Sequence, residues 1–155
     1  MNRTDIIKEL KEFFDIQELV CPHTFNTFGE KSWQFFDRDF LEALLILRRD
    51  VIKKPLIANN WQKGGPYSQR GLRCNICDLT RSKTLKREIY LTAHANGAGI
   101  DVTCETLSAE QMRQLIKKNA DKFPMKVRIE KDVTWLHFDV YDDPMSNLKI
   151  TEFKG

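Results

Sequence analysis

Two hydrophobic rhythms run along the chain. Near the N-terminus Ile6, Leu10, Phe13 and Phe14 recur at helical spacing. They predict an amphipathic helix capped by Thr4 or Asp5 and reaching about Asp15. Residues 19–23 read as a turn and 25–29 as irregular chain. Trp33, Phe35 and Phe36 lead into a stronger pattern: Phe40, Leu44, Leu47 and Val51 line one face, and Leu41, Leu45 and Ile52 widen it. This predicts a central buried helix, opened by Asp39 with Glu42 as a capping pair and closed before Pro55. A third helix follows Ser108 and Gln111, which fit a capping box, with Met112, Leu115, Ile116 and Ala120 on its buried face.

The second rhythm has a period of two. Leu136, Phe138 and Val140 share one face of a strand, and Trp135, His137 and Asp139 share the other. Residues 125–132 predict its antiparallel neighbour, 99–103 a strand with Ile100 and Val102 inward and Asp101 outward, 56–59 a short strand and 148–153 a last edge strand. Residues 60–71 hold three glycines and a proline and predict a long loop, and 82–90 predict a short helix. The sum is an α+β fold, with helices packed on one side of a small antiparallel sheet and the other side left for a site. One domain over 1–155 is expected, with 1–34 as an N-terminal helix and loop packed on it.

Composition changes this picture little. An apolar fraction of 41% and a charged fraction of 30% describe an ordinary soluble globule, expected as a monomer. No run is long and apolar enough to span a membrane. The first residues pass straight into a helical pattern, so no signal peptide and synthesis in the cytoplasm are expected. A net charge of +3 is too small and too dispersed to argue for nucleic acid. The densest basic cluster, Arg81, Lys83, Lys86 and Arg87, reads as a solvated face.

Candidate chemistry lies in two stretches. His94 precedes the small, glycine-rich bend Ala95-Asn96-Gly97-Ala98-Gly99, and Asp101 follows it. Glycines let the backbone fold back sharply, so imidazole and carboxylate can meet. The polar strand face adds His137. Two imidazoles and a carboxylate make a three-ligand set for one catalytic zinc ion, with a coordination position left open. Taken singly, each of these residues also reads as a hydrogen-bonded structural group.

The motif His94-x-x-Gly97-x-Gly99-x-Asp101 followed by Trp135-x-His137-x-Asp139 resembles the zinc D-Ala-D-Ala carboxypeptidases and L-alanyl-D-glutamate endopeptidases of bacteria and phages, which have the hedgehog/DD-peptidase fold. The resemblance covers roughly residues 35–142. It implies that His94, Asp101 and His137 bind zinc and that peptidoglycan stem peptides are cut, with a phage-type release bringing the enzyme to the cell wall. Many members carry an acidic general base three positions before the last histidine ligand, where this chain has Thr134. Asp139 is the favoured substitute on strand-face geometry, with Asp132 and Glu130 as alternatives; Asp139 also reads as a partner orienting a ligand histidine. The resemblance further implies an arginine gripping a substrate carboxylate. Arg70 is favoured over Arg73, Gln69 is a polar contact, and Trp135 is a wall of the site or a filler at the sheet edge.

Cys74-x-x-Cys77 admits three readings: buried thiols, a redox pair, or half of a structural zinc site completed by Cys21 and His23. Two other functions stay open beside the peptidase. One is a zinc-holding domain without catalysis that binds wall peptides or a protein partner. The other is a binding module organised by its cysteines.

Overall fold

Phe40, Leu41, Leu44 and Leu45 lose essentially all solvent contact, and the helix carrying them forms the axis of the molecule. A computed structural model describes all of residues 1–155. Helix α4 (Arg38–Ile46) starts two residues earlier than the Asp39–Glu42 pair suggests. Asp37 is the cap, its carboxylate accepting from the Asp39 and Phe40 amides. The helix runs on through a π-type turn, Leu47–Ile52, and stops at Lys53 in a left-handed conformation (φ 58°), ahead of Pro55. Truncating a side chain as enclosed as Phe40 to alanine costs about 3–5 kcal/mol.

Helix α1 (Arg3–Leu10) lays Ile6 and Leu10 on α4. Asn2 caps it, rather than Thr4 or Asp5, and it ends well before Asp15. Residues 19–23 and 25–29, read as turn and irregular chain, fall instead on the end of α2 (Ile16–Leu19), on α3 (Pro22–Phe28) and on the start of a 3-10 segment, Gly29–Phe35. These elements are too short to display a hydrophobic period. Their signals are local: Asp15 and Glu18 form a capping box, and Pro22 brings its fixed φ to a first helical turn. One core cluster runs from Ile6 to Phe138, so the N-terminal layer and the sheet share an interior.

Four strands form the sheet: β1 (Gly99–Val102), β2 (Val127–Glu130), β3 (Leu136–Asp139) and β4 (Ile150–Phe153), in the order β1-β3-β2-β4. Strand β3 pairs antiparallel with both β1 and β2, but β4 runs parallel to β2, so the sheet is mixed and not wholly antiparallel. Both edges of β3 are taken by β1 and β2, and the last strand adds to the outer edge of β2, running in β2's own direction. Residues 56–59 contribute one two-bond bridge between Ile57 and Thr103 rather than a strand.

The face of the sheet carrying Ile100, Val102, Ile129, Leu136 and Phe138 belongs to the core. Helix α6 (Ala109–Lys118) starts at the Ser108–Gln111 capping box and packs against β3 through its buried Met112 and Ile116. Its Arg113, 5% exposed, donates to the carbonyls of Glu130, Val133 and Trp135, so one guanidinium grips the β2–β3 turn from both sides. Helix α5 (Asp78–Leu85) begins four residues earlier than the pattern at 82–90 suggested. No helix is long and apolar enough to cross a membrane.

Candidate metal centre

The polar face of the sheet brings His94, Asp101 and His137 together, each less than a tenth exposed. The β1–β3 register sets Asp101 directly opposite His137. His94 comes from the bend before β1, and that bend needs its glycines. Gly97 has φ 63°, and a Cβ there would lie 2.2 Å from the Phe35 carbonyl oxygen. A Cβ on Gly99 would meet the Cβ atoms of Ala93 and Asp139 at 2.7 and 2.9 Å.

Each histidine has one nitrogen anchored and one turned to Asp101. His94 donates from Nδ1 to the Gly71 carbonyl at 2.9 Å, leaving Nε2 3.2 Å from Asp101 Oδ2. His137 binds Asp139 Oδ2 through Nε2 at 2.7 Å and meets Asp101 Oδ1 through Nδ1 at 2.8 Å. Ligand histidines need this kind of second partner, because it fixes the tautomer and the ring plane. The donor set of two nitrogens and one carboxylate oxygen therefore suits a metal ion held by His94 Nε2, Asp101 and His137 Nδ1.

Electrostatics point the same way. Burial pushes Asp101 upward, but hydrogen bonds from His137 and His94 outweigh it and hold the carboxyl well below its usual range. Burial lowers His137, yet hydrogen bonds to Asp101 and Asp139 outweigh that and raise it to about 9. Without metal, a proton between carboxylates occupies the place of a cation.

Asp139 is not placed to act as a base. It is wholly buried, and its two oxygens accept from Arg128 Nε and Nη2, both at 2.9 Å, from the Tyr141 amide and from His137 Nε2. No lone pair is left to take a proton from water, so Asp139 orients His137. Burial raises its pKa, but the hydrogen bonds from His137 and Arg128 outweigh that and keep it low.

A cleft of about 440 Å³ opens over His94, Asp101 and His137, with Trp135, Glu130 and Arg73 in its walls. Glu130 extends from β2 on the face that Arg128 shares with Asp139, and its carboxylate makes neither an ion pair nor a hydrogen bond with another side chain. Asp132 sits in the β2–β3 turn at φ 64°, exposed and outside the cleft. Thr134 lines a different cavity, beside α6.

Arg70 also lies outside. Its backbone is clamped between Asn59 and Asp101, and its guanidinium stacks 3.6 Å over Tyr67 and reaches Thr103. Arg73 takes the place in the cleft, 3.3 Å from Asp101 and bound to the Tyr90 hydroxyl. The Gln69 side chain accepts from the Leu79 amide at the start of α5, away from the ligands. Sequence reasoning missed Arg128 and Phe153, whose ring meets that of His137 edge-on at 5.6 Å. The available signal was the alternation Val127-Arg128-Ile129-Glu130, which puts two charged residues on the inner polar face.

A second group also converges: Cys21, His23, Cys74 and Cys77 bring their donor atoms within 4.8 Å of one another. All four cysteines of the chain are free, and Cys104 stands apart from the group. Both groups could hold a metal ion. No protein family, curated protein or solved structure matches this chain.

Proposed function

We propose that this chain is a zinc-dependent hydrolase of peptide bonds, acting on the stem peptides of peptidoglycan. The observation that carries the reading is the three-ligand arrangement itself. His94, Asp101 and His137 are anchored from behind and open on a cleft whose wall holds an uncommitted carboxylate. A closed structural site would have four protein ligands; three with an open side is the pattern of catalytic zinc. The choice of substrate rests on the likeness of the His94–Asp101 and Trp135–His137 motifs to the wall carboxypeptidases and endopeptidases. A wall substrate in turn calls for release of the protein from the cytoplasm, as in phage lysis.

His94, Asp101 and His137 would hold the zinc ion, which would supply Lewis-acid chemistry at the scissile bond. The side chains do the rest. Glu130 accepts the proton of the attacking water and returns it to the leaving amine, the general base role that Asp139 cannot fill. Asp139, itself held by Arg128, keeps the proton of His137 on Nε2 and so keeps Nδ1 available. Arg73 is the cleft cation not committed to a bidentate carboxylate pair, and it receives the substrate carboxylate. Trp135 forms an apolar wall beside it.

The test is release of free amines from purified peptidoglycan, with metal content measured on the same preparations. Zinc-dependent release, lost together with the ion in His94→Ala, is the expected result. Zinc bound through His94 with no release from any wall chemotype would overturn the hydrolase and leave a zinc-holding binding domain.

A further inference from the structure

Cys21 stands at the start of α3 and His23 in its first turn, while Cys74 and Cys77 flank the tight turn that starts α5. These residues come from two segments about fifty positions apart and have no role in the open site. Their geometry is specific. The Cys74 and Cys77 sulfurs are 3.8 Å apart, and His23 Nδ1 lies 3.5 Å from one and 3.8 Å from the other. A tetrahedral ion with Zn–S of about 2.3 Å and Zn–N of about 2.0 Å requires S···S edges of about 3.8 Å and S···N edges of about 3.5 Å. A disulfide would need about 2.05 Å. The sulfurs are therefore spaced as edges of a coordination polyhedron. Cys21, wholly buried, supplies the remaining corner.

The same segment reaches the open site within three residues. Gly71 gives its carbonyl to His94 Nδ1, the Arg73 amide donates to the His94 carbonyl, and the Arg73 side chain meets Asp101. On the other side Leu72 donates to the Leu19 carbonyl and bridges Val20, next to Cys21. Gly71 is pressed so closely on Leu19 that a Cβ would lie 2.0 Å from its carbonyl oxygen. Residues 71–74 thus form a narrow ladder between the N-terminal layer and the His94 bend. No regular sheet holds it.

We propose that Cys21, His23, Cys74 and Cys77 bind a zinc ion of their own in a closed Cys3His site, and that this ion fastens the 71–74 ladder from which His94 is positioned. Binding takes up the ion as Zn²⁺ and releases the thiol protons, without any change of oxidation state. The closed site stands independently of the hydrolase reading. Its coupling to His94 requires only that the open site binds a metal.

The test uses the full chain and needs no substrate. Wild-type protein should carry two zinc ions. After exchange for Co²⁺ it should show the intense sulfur-to-cobalt charge-transfer absorption of a three-thiolate site. His94→Ala should keep that absorption with one ion per chain. Cys74→Ser should lose it and bind cobalt at the open site about 10–100-fold more weakly, the usual cost of losing a ligand histidine's outer partner. Absence of charge transfer in the cobalt-loaded wild type overturns the closed site, and it does so even where the cysteine variant fails to fold. Unchanged affinity of the open site in Cys74→Ser overturns the coupling. Neither readout moves if the protein cleaves no peptide.

Discussion

The two donor clusters are built in opposite ways. His94, Asp101 and His137 are buried, and strand register sets two of them face to face. Each imidazole is already fixed by a second partner. Cys21, His23, Cys74 and Cys77 come from helix starts and a turn, with His23 exposed, and a short ladder of backbone bonds and the packing of Leu72 connect their segments. One cluster is organised before any ion arrives. The other brings its donors from two segments far apart in the chain. The first arrangement suits chemistry, which needs preorganised groups and a free coordination position. The second suits cross-linking, where the energy of binding becomes energy of folding.

This contrast can be tested from its strongest point downwards. Glu130→Gln should reduce amine release about 10²–10⁴-fold, the usual worth of a general base, with zinc content unchanged. Normal release would return the base role to another group and remove the cleft's part in the contrast. Asp139→Ala should cost about 3–5 kcal/mol in denaturant titration, because it strips the partner from Arg128 and from His137 in a buried network. A loss below about 1 kcal/mol would mean that the preorganised cluster is held by something other than this network.

A third test is pH. His137 is raised on folding from about 6.5 to about 9. A raised group gives stability that is complete below the unfolded value and disappears as pH climbs through the folded one. Metal-free protein should therefore lose melting temperature between about pH 6.5 and pH 9. Metal-loaded protein, with the ion in place of the proton, should show no such loss in this window. A flat metal-free profile would mean that His137 is not charged between its two carboxylates. The smallest effect is expected of Thr134→Glu. An acid introduced there faces the cavity beside α6, so zinc content and amine release should stay as in wild type. Any increase in release would place residue 134 in the cleft.

The candidate donors were more legible in the sequence than their supports. His94, Asp101 and His137 are close to a bend or on an alternating strand, where spacing determines which way a side chain points. The stripe of α4 and the Ser108 capping box are equally local and equally legible. Strand-face geometry alone left Asp139 open between base and orienting partner, because Arg128 lies across a strand pair and no local pattern records that both carboxylate oxygens are taken. Arg70 and Arg73 are three residues apart in a loop with no period. Which of them faces the cleft is decided by distant contacts, with Asn59 and Asp101 holding the backbone of one and Tyr90 the side chain of the other. The parallel placement of β4 depended on which sheet edges were already occupied, a property of the whole assembly.

Arg113 gives the cleft an unusual kind of hinge pin. Its guanidinium ties the Glu130 carbonyl on one bank of the β2–β3 turn to the Trp135 carbonyl on the other, from the far side of the sheet. The proposed base and the apolar wall are thus set apart by a residue that nothing in the cleft can touch. The spacing of these two carbonyls is thus fixed from the helical layer rather than from within the cleft. Variation in selectivity among chains built this way should therefore appear in α6 as well as among the residues that line the opening.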